Sequence, residues 1–373
     1  MRYRNQRYLL AVAALLLLSV ACRNPGGGGT TTTTAGPGGG GGVVQTRTVR
    51  YGPLAVPGKN QPAIGPFAAF AAILGGQAGT GTAWNVPRVG VEKPCQDCYI
   101  TGIQADLKNA AGQTANVHNG LWLHHMVLLV SNPNGSRQDA TCRAGLQQTA
   151  IGASAGAERL FASGNERTKL DVSGASTNYG YKVNPTDRFN LIYELMNDNE
   201  APANVYMDLT YNFKAGSTPG MRNVKPVWLD ANGCGVSEVP ARTGQYQIPT
   251  NTWTSNVSGP ILGTGGHAHD GATNVVIRKN GQPICDSVAK YGETPDFIPP
   301  GGGMDHGGGG MDHGGGGHAA SISSFSVCYN VGNAAPGDRF QATSYYDDSK
   351  HPQMVHGGRL HTVMSIALVY IGQ

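Results

Sequence analysis

Residues 121–136 read LWLHHMVLLVSNPNGS. The stretch 121–130 is almost wholly apolar, and SNPNGS behind it is dense turn chemistry. An apolar run this short, closed by Asn, Pro and Gly, reads as a buried strand; a helix would ask for a longer periodic segment. The same grammar recurs along the chain. RFNLIYELM (188–196), VYMDLTYNF (205–213), TNVVIRKNGQPIC (273–285) and HTVMSIALVYIG (361–372) are all strand-like. VYMDLTYNF alternates apolar and polar residues as a half-buried antiparallel strand does. Asn280-Gly281 in RKNGQP accepts the positive φ of a type I′ hairpin. GPFAAFAAIL (65–74) is the best helix candidate, and KAGSTPGMRN (214–223) reads as a joint. The expectation is an all-β chain of two tandem antiparallel β-sandwich (jelly-roll) domains, 52–214 and 222–373.

Composition agrees. Only 13% of the 373 residues are charged and 56 are glycine, which suits short strands joined by Gly-rich turns. The formal charge of +4 comes from 27 basic and 23 acidic residues, but Arg2, Arg4, Arg7 and Arg23 sit at the N-terminus where there are no acids. The remainder is neutral, so nothing is left to neutralise phosphates and nucleic acid is excluded as a partner.

Three arginines precede the apolar run 9–20, which is too short to span a bilayer and reads as a signal peptide over 1–21. Its ending, LLLLSVAC, resembles a bacterial lipobox with Cys22 as the lipidated residue, although Ser19 stands where leucine is usual. The expected location is outside the cytoplasm, as a cell-envelope lipoprotein or a secreted protein, touching a membrane only through an anchor at Cys22. Residues 22–51, rich in Gly and Thr, read as a flexible tether.

Six cysteines remain: Cys95, Cys98, Cys142, Cys234, Cys285 and Cys328. An even set in an oxidising compartment reads as up to three disulfides, and Cys285 with Cys328 is a reasonable pairing within the second half. Cys95-x-x-Cys98 could be a redox pair or half a zinc site; with no second such motif, the structural reading is favoured. One insertion, PPGGGMDHGGGGMDHGGGGH (299–318), repeats Met-Asp-His on a glycine background. It reads either as an expanded low-complexity loop or as a soft-metal trap, since thioether and imidazole together suit Cu(I).

The histidines carry the chemistry. His124 and His125 are adjacent in a strand, so one metal reaches both only where the backbone bulges or twists. His267 and His269, in GTGGHAHDG, share one face of a strand and meet one metal without distortion. Gly265-Gly266 permits close backbone approach there, and Asp270 is a candidate orienting partner. The C-terminal segment adds His351, Met354, His356, His361 and Met364, whose mixed sulfur and imidazole favour copper over zinc. There is no G-x-S-x-G elbow, no H-E-x-x-H helix and no phosphate-cradling loop.

The order of these motifs resembles the copper type II, ascorbate-dependent monooxygenases, the group of peptidylglycine α-hydroxylating monooxygenase. A closer resemblance is to the stress-upregulated nodulin-like proteins. It is carried by PCQDCYITGIQADL, WLHHMVLL, VKPVWLDANGCG, GGHAHDGATNVVIRKNGQPICDSVAKYG and HTVMSIALVYIG, over most of 90–373. The resemblance implies two β-sandwiches, each holding one copper across a solvent cleft. It implies His267, His269 and Met364 at an oxygen-binding copper, and His124 and His125 at an electron-transfer copper. The third histidine of that second site has no counterpart: the strand FNLIYELMND offers Glu194 or Met196. His361, Glu194 and Met196 are therefore further candidate ligands.

Three functions stay open on these residues. The first is a copper-dependent, monooxygenase-like oxidoreductase acting on a small molecule or peptide. The others are a non-catalytic envelope protein for copper sequestration or delivery, and a metal-free glycan- or protein-binding β-sandwich.

Overall fold

The computed structural model describes residues 30–33, 42–66, 68–70, 79–153, 156–174, 176, 178–300, 320–356 and 359–373. Cys22, the signal segment and the Met-Asp-His repeat lie outside them. The protein is all-β. Of the expected helix over 65–74, a single 3-10 turn at Ala68–Phe70 is described, and 71–78 lies outside.

Four layers stack in sequence. The first runs, in hydrogen-bonded order, Gln45–Val56, Ala203–Ala215, Cys98–Asn109 and Tyr179–Val183. The second runs Thr82–Val91, Arg188–Asn197, Leu121–Ser131 and Ala157–Gly164. The third runs Arg222–Asp230, Ile366–Gly372, Gly259–His267 and Val327–Tyr329. The fourth runs Gln245–Pro249, Arg339–Asp347, Ala272–Lys279, Gln282–Tyr291 and Ile322–Phe325. A short parallel pairing of Arg222 with Tyr179 joins the first and third layers into one sheet. The Asn280-Gly281 hairpin forms as its sequence predicts, with φ of 52° and 82°.

Strand alternation decides what each gap contains. Leu191, Tyr193 and Leu195 meet Leu54, Ile103 and Leu209 in a core between the first and second layers. Val227, Val369 and Ile371 meet Val275, Ile277 and Phe340 between the third and fourth. The middle gap is equally apolar: Val127, Leu129 and Ile192 face Trp228, Ile366 and Leu368. The halves are thus joined by a third core, where the resemblance implies a solvent cleft.

All six cysteines pair, as Cys95–Cys98, Cys142–Cys234 and Cys285–Cys328. The Cys95-x-x-Cys98 motif is closed on itself, and the second bridge ties the two halves together. Beside it, buried Arg159 donates to Asp139 Oδ2 at 2.8 Å and Oδ1 at 3.0 Å. The same guanidinium lies 4.8 Å over the Trp228 ring.

Candidate metal centre

At one end of the middle gap the apolar seam gives way to polar side chains. Leu123 and Met126, three residues apart, both face the first core, so the two histidines between them turn the other way. The cause is a bulge: Leu123 pairs with Leu195 and His125 with Glu194, leaving His124 as the extra residue. A second irregularity, between Ala83 and Val86, sets Asn85 in the left-handed region at φ 46°, a conformation asparagine tolerates. From the opposite layer come His267, at the end of its strand, and His269 and His361 in adjoining loops. Glu238 enters from a two-residue strand whose register partner is Met364.

These side chains form one cluster. The ring of His124 lies 4.2 Å from that of His269, 4.8 Å from His361 and 5.2 Å from His125, centroid to centroid. His267 is 5.7 Å from His269. The paired-histidine and His-x-His motifs, far apart in sequence, therefore meet. Three overlapping trios bring donor atoms within 4.8 Å of one another: His124, His125, His269; His124, Glu194, His361; and His125, Glu194, Glu238. Every one of these residues is buried.

Hydrogen bonds fix the rings from behind. His267 Nδ1 donates to Glu166 Oε1 at 2.9 Å, and His269 Nδ1 to the Thr362 carbonyl at 2.8 Å. His125 Nε2 lies 3.2 Å from Asn85 Oδ1. What remains is Nε2 of His267 and His269, Nδ1 of His125 and both nitrogens of His124, buried and without a hydrogen-bond partner. Buried polar atoms are rarely left so, and a ligand imidazole held through its other nitrogen has just this arrangement. The donor set is imidazole with carboxylate, which suits copper, zinc or iron. The residues fit a transition metal.

Electrostatics agree. Burial, reinforced by the neighbouring rings, pushes His124 and His269 well below the usual imidazole range, and His125 to about 3. These three rings are thus uncharged at neutral pH, as ligands must be. Burial and then the Glu238 carboxylate push Glu194 well above the ordinary range.

The other expected residues fall as follows. Met364 lines the same small interior space as His125 and His267. Met196 packs instead with Val117, Trp122 and Met354. His351 stacks on Tyr291 at 3.7 Å and belongs to none of the three trios, and nothing is described of the His356 side chain. Asp270 accepts from the Ile322 backbone at 2.8 Å, and the orienting carboxylate on His267 is Glu166. Glu166, Glu238 and Asn85 carry no motif that sequence reading could have found. Glu166 also lines a cavity of about 630 Å³ with Asp106, Arg167, Lys169 and Asp296.

No protein-family model matches the chain. Two curated fungal proteins do. Probable copper-dependent oxygenase M1 of Phoma sp. is 30% identical over 284 residues, 75% of this chain and 65% of its own length. Probable copper-dependent oxygenase clz3 of Cochliobolus lunatus is 29% identical over 272 residues, 72% of this chain and 78% of its own. The chain is a relative of these two proteins. It spans just under two thirds of the Phoma protein's length. Among solved structures, PNGF-II in two space groups superposes with TM-scores of 0.38 and 0.37 at 10% identity. These superpositions cover 77% and 86% of this chain, and 59% and 65% of the PNGF-II chains.

Proposed function

We propose that this chain is an exported copper-dependent oxygenase whose metal sits in the buried histidine–glutamate cluster between its second and third layers. The observation that carries the reading is the set of ring nitrogens on His124, His125, His267 and His269, buried and without a hydrogen bond, three of these residues bringing donor atoms within 4.8 Å of one another. The names of the two fungal relatives support copper as the metal and oxygenation as the reaction class. So does the motif order that resembles the ascorbate-dependent monooxygenases and, more closely, the stress-upregulated nodulin-like proteins.

Bound copper would supply one-electron redox change and the capacity to activate oxygen. The protein's part is positioning. Glu166, the Thr362 carbonyl and Asn85 each hold one nitrogen of His267, His269 and His125, and the other nitrogen of each ring is left without a hydrogen bond. The apolar seam of Trp228, Ile366 and Val127 keeps bulk water from one side. Glu166 is the single side chain that both binds His267 and lines the 630 Å³ cavity. That cavity is the place for a small polar substrate to approach.

The test is metal content of the mature chain with residues 301–318 removed, against the same chain carrying His267→Ala and His269→Ala. Tightly bound copper lost in the double variant, with oxygen uptake driven by ascorbate, supports the oxygenase. Bound copper without oxygen uptake points to sequestration, a role the closed site would also serve. No tightly bound copper in either protein sinks both readings.

A further inference from the structure

Glu194 is one of the two residues that its strand offers where the monooxygenase resemblance calls for a third histidine, and its two oxygens face different neighbours. Oε1 lies 3.0 Å from His124 Nδ1, and Oε2 lies 3.7 Å from His125 Nε2. Yet neither oxygen of Glu194 and neither nitrogen of His124 makes a hydrogen bond. A 3.0 Å approach that is not aligned for a proton needs another explanation. Two donors on one ion, each about 2.0–2.2 Å from it at tetrahedral or right angles, stand about 2.8–3.5 Å apart. The Glu194–His124 contact has the spacing of two ligands on one metal.

The donor sets point further. Glu194 belongs to two of the three trios, one with His124 and His361, the other with His125 and Glu238. Of the protein's side chains, a carboxylate is the one suited to giving a separate oxygen to each of two ions. The second trio places two carboxylates side by side in a buried site, with 0% and 1% exposure for Glu194 and Glu238. Glu238 accepts from Trp84 Nε1 at 3.1 Å and from Thr362 Oγ1 at 2.8 Å. A buried pair of carboxylates is settled either by a proton shared between them or by a cation between them, and the trio with His125 offers such a cation its third donor.

We propose that the cluster is a dinuclear centre bridged by the Glu194 carboxylate, with one ion on the side of His124 and His361 and a second on the side of His125 and Glu238. The identity of the metal as copper rests on the proposed function above; the bridging by Glu194 does not. The six buried donor residues of the three trios are ample for two ions and crowded for one.

The experiment is titration of the metal-free full chain, lacking only residues 301–318, with Cu(II), read by metal analysis and electron paramagnetic resonance. The expected result is two tightly held coppers per chain, with spin intensity well below two because the bridge couples them. Glu194→Gln, which keeps an oxygen donor but cannot bridge as a carboxylate does, should bring the stoichiometry to one with a full uncoupled spin. Glu238→Gln should empty the second locus alone, and serves if Glu194→Gln fails to fold. One copper in the wild type overturns the dinuclear centre and leaves the oxygenase reading standing. Two coppers unaffected by either variant overturn the bridge, and no copper at all overturns both proposals.

Discussion

Glu166 Oε1 lies 2.9 Å from His267 Nδ1 with both side chains buried, so a carboxylate from one half fixes a ring belonging to the other. The contact settles which nitrogen of His267 is left facing inward. Removing such a partner commonly weakens metal affinity by about 10–100-fold. Glu166→Ala should therefore lower copper affinity by that factor in competition with a chelator. An unchanged affinity would mean that packing alone orients His267.

Gly164 makes room for that contact. A Cβ there would come within 2.6 Å of Glu166 Oε2 and of His267 Cε1, and within 2.8 Å of the His124 carbonyl. Forcing atoms into a packed interior typically costs about 1–3 kcal/mol. Gly164→Ala should lower the denaturation midpoint accordingly and lose metal, both readable on one preparation.

Asp139 gives the acid response. Burial pushes its carboxyl up, but the charge and hydrogen bonds of Arg159, with the N–H groups of Thr141 and Cys142, outweigh that and hold it below the ordinary range. The unfolded chain thus takes up this proton at a higher pH than the folded one. The resulting stability is complete above the unfolded value of about 3.9 and drains away as pH falls through the native value. Urea melts of wild type and Asp139→Asn should converge as pH drops below about 4. Arg159→Ala, which strands Asp139, should cost about 3–5 kcal/mol at neutral pH.

Metal removal should loosen the whole chain. An ion that binds only the folded state adds about 2.7 kcal/mol when present at a hundred times its dissociation constant. Thermal melts with and without added Cu(II) should differ in that direction, and a chelator should reverse the change. Identical melts would mean that copper does not bind the native cluster.

Breaking Cys142–Cys234, whose partners are 92 residues apart, should cost about 4–5 kcal/mol on the chain-entropy argument. The short Cys95–Cys98 loop, with a separation of three, should matter much less. Because only the longer bridge joins the halves, its Ser/Ser variant should also lower copper affinity; equal effects from the two pairs would contradict that.

Much of the fold was legible because β-structure writes itself locally. Turn clusters, alternation and Asn280-Gly281 each act over a few residues, and the strands follow them. The site was legible in part. His267 and His269 share a strand-end surface by spacing, but whether His124 and His125 could act together depended on a bulge. That bulge is set by register against Arg188–Asn197, a partner some seventy residues away, which neither segment announces. Glu194 was readable as a candidate through the missing histidine. Glu166 sits in the polar stretch SGNERTKL and Glu238 in a strand of two residues, so nothing periodic marked either. The meeting of the two histidine motifs was not readable at all, because it depends on which faces of the second and third layers stack.

The seam also has a consequence for how the chain matures. His124, His125, Glu166 and Glu194 come from one half, and Glu238, His267, His269 and His361 from the other, so neither half carries a finished ligand set. Capture of the ion becomes a report that both halves have folded and docked. With Cys142–Cys234 reduced, a chain cut within the turn 216–221 would yield fragments that each lack part of the ligand set, and mixing them would restore binding only as fast as they find each other.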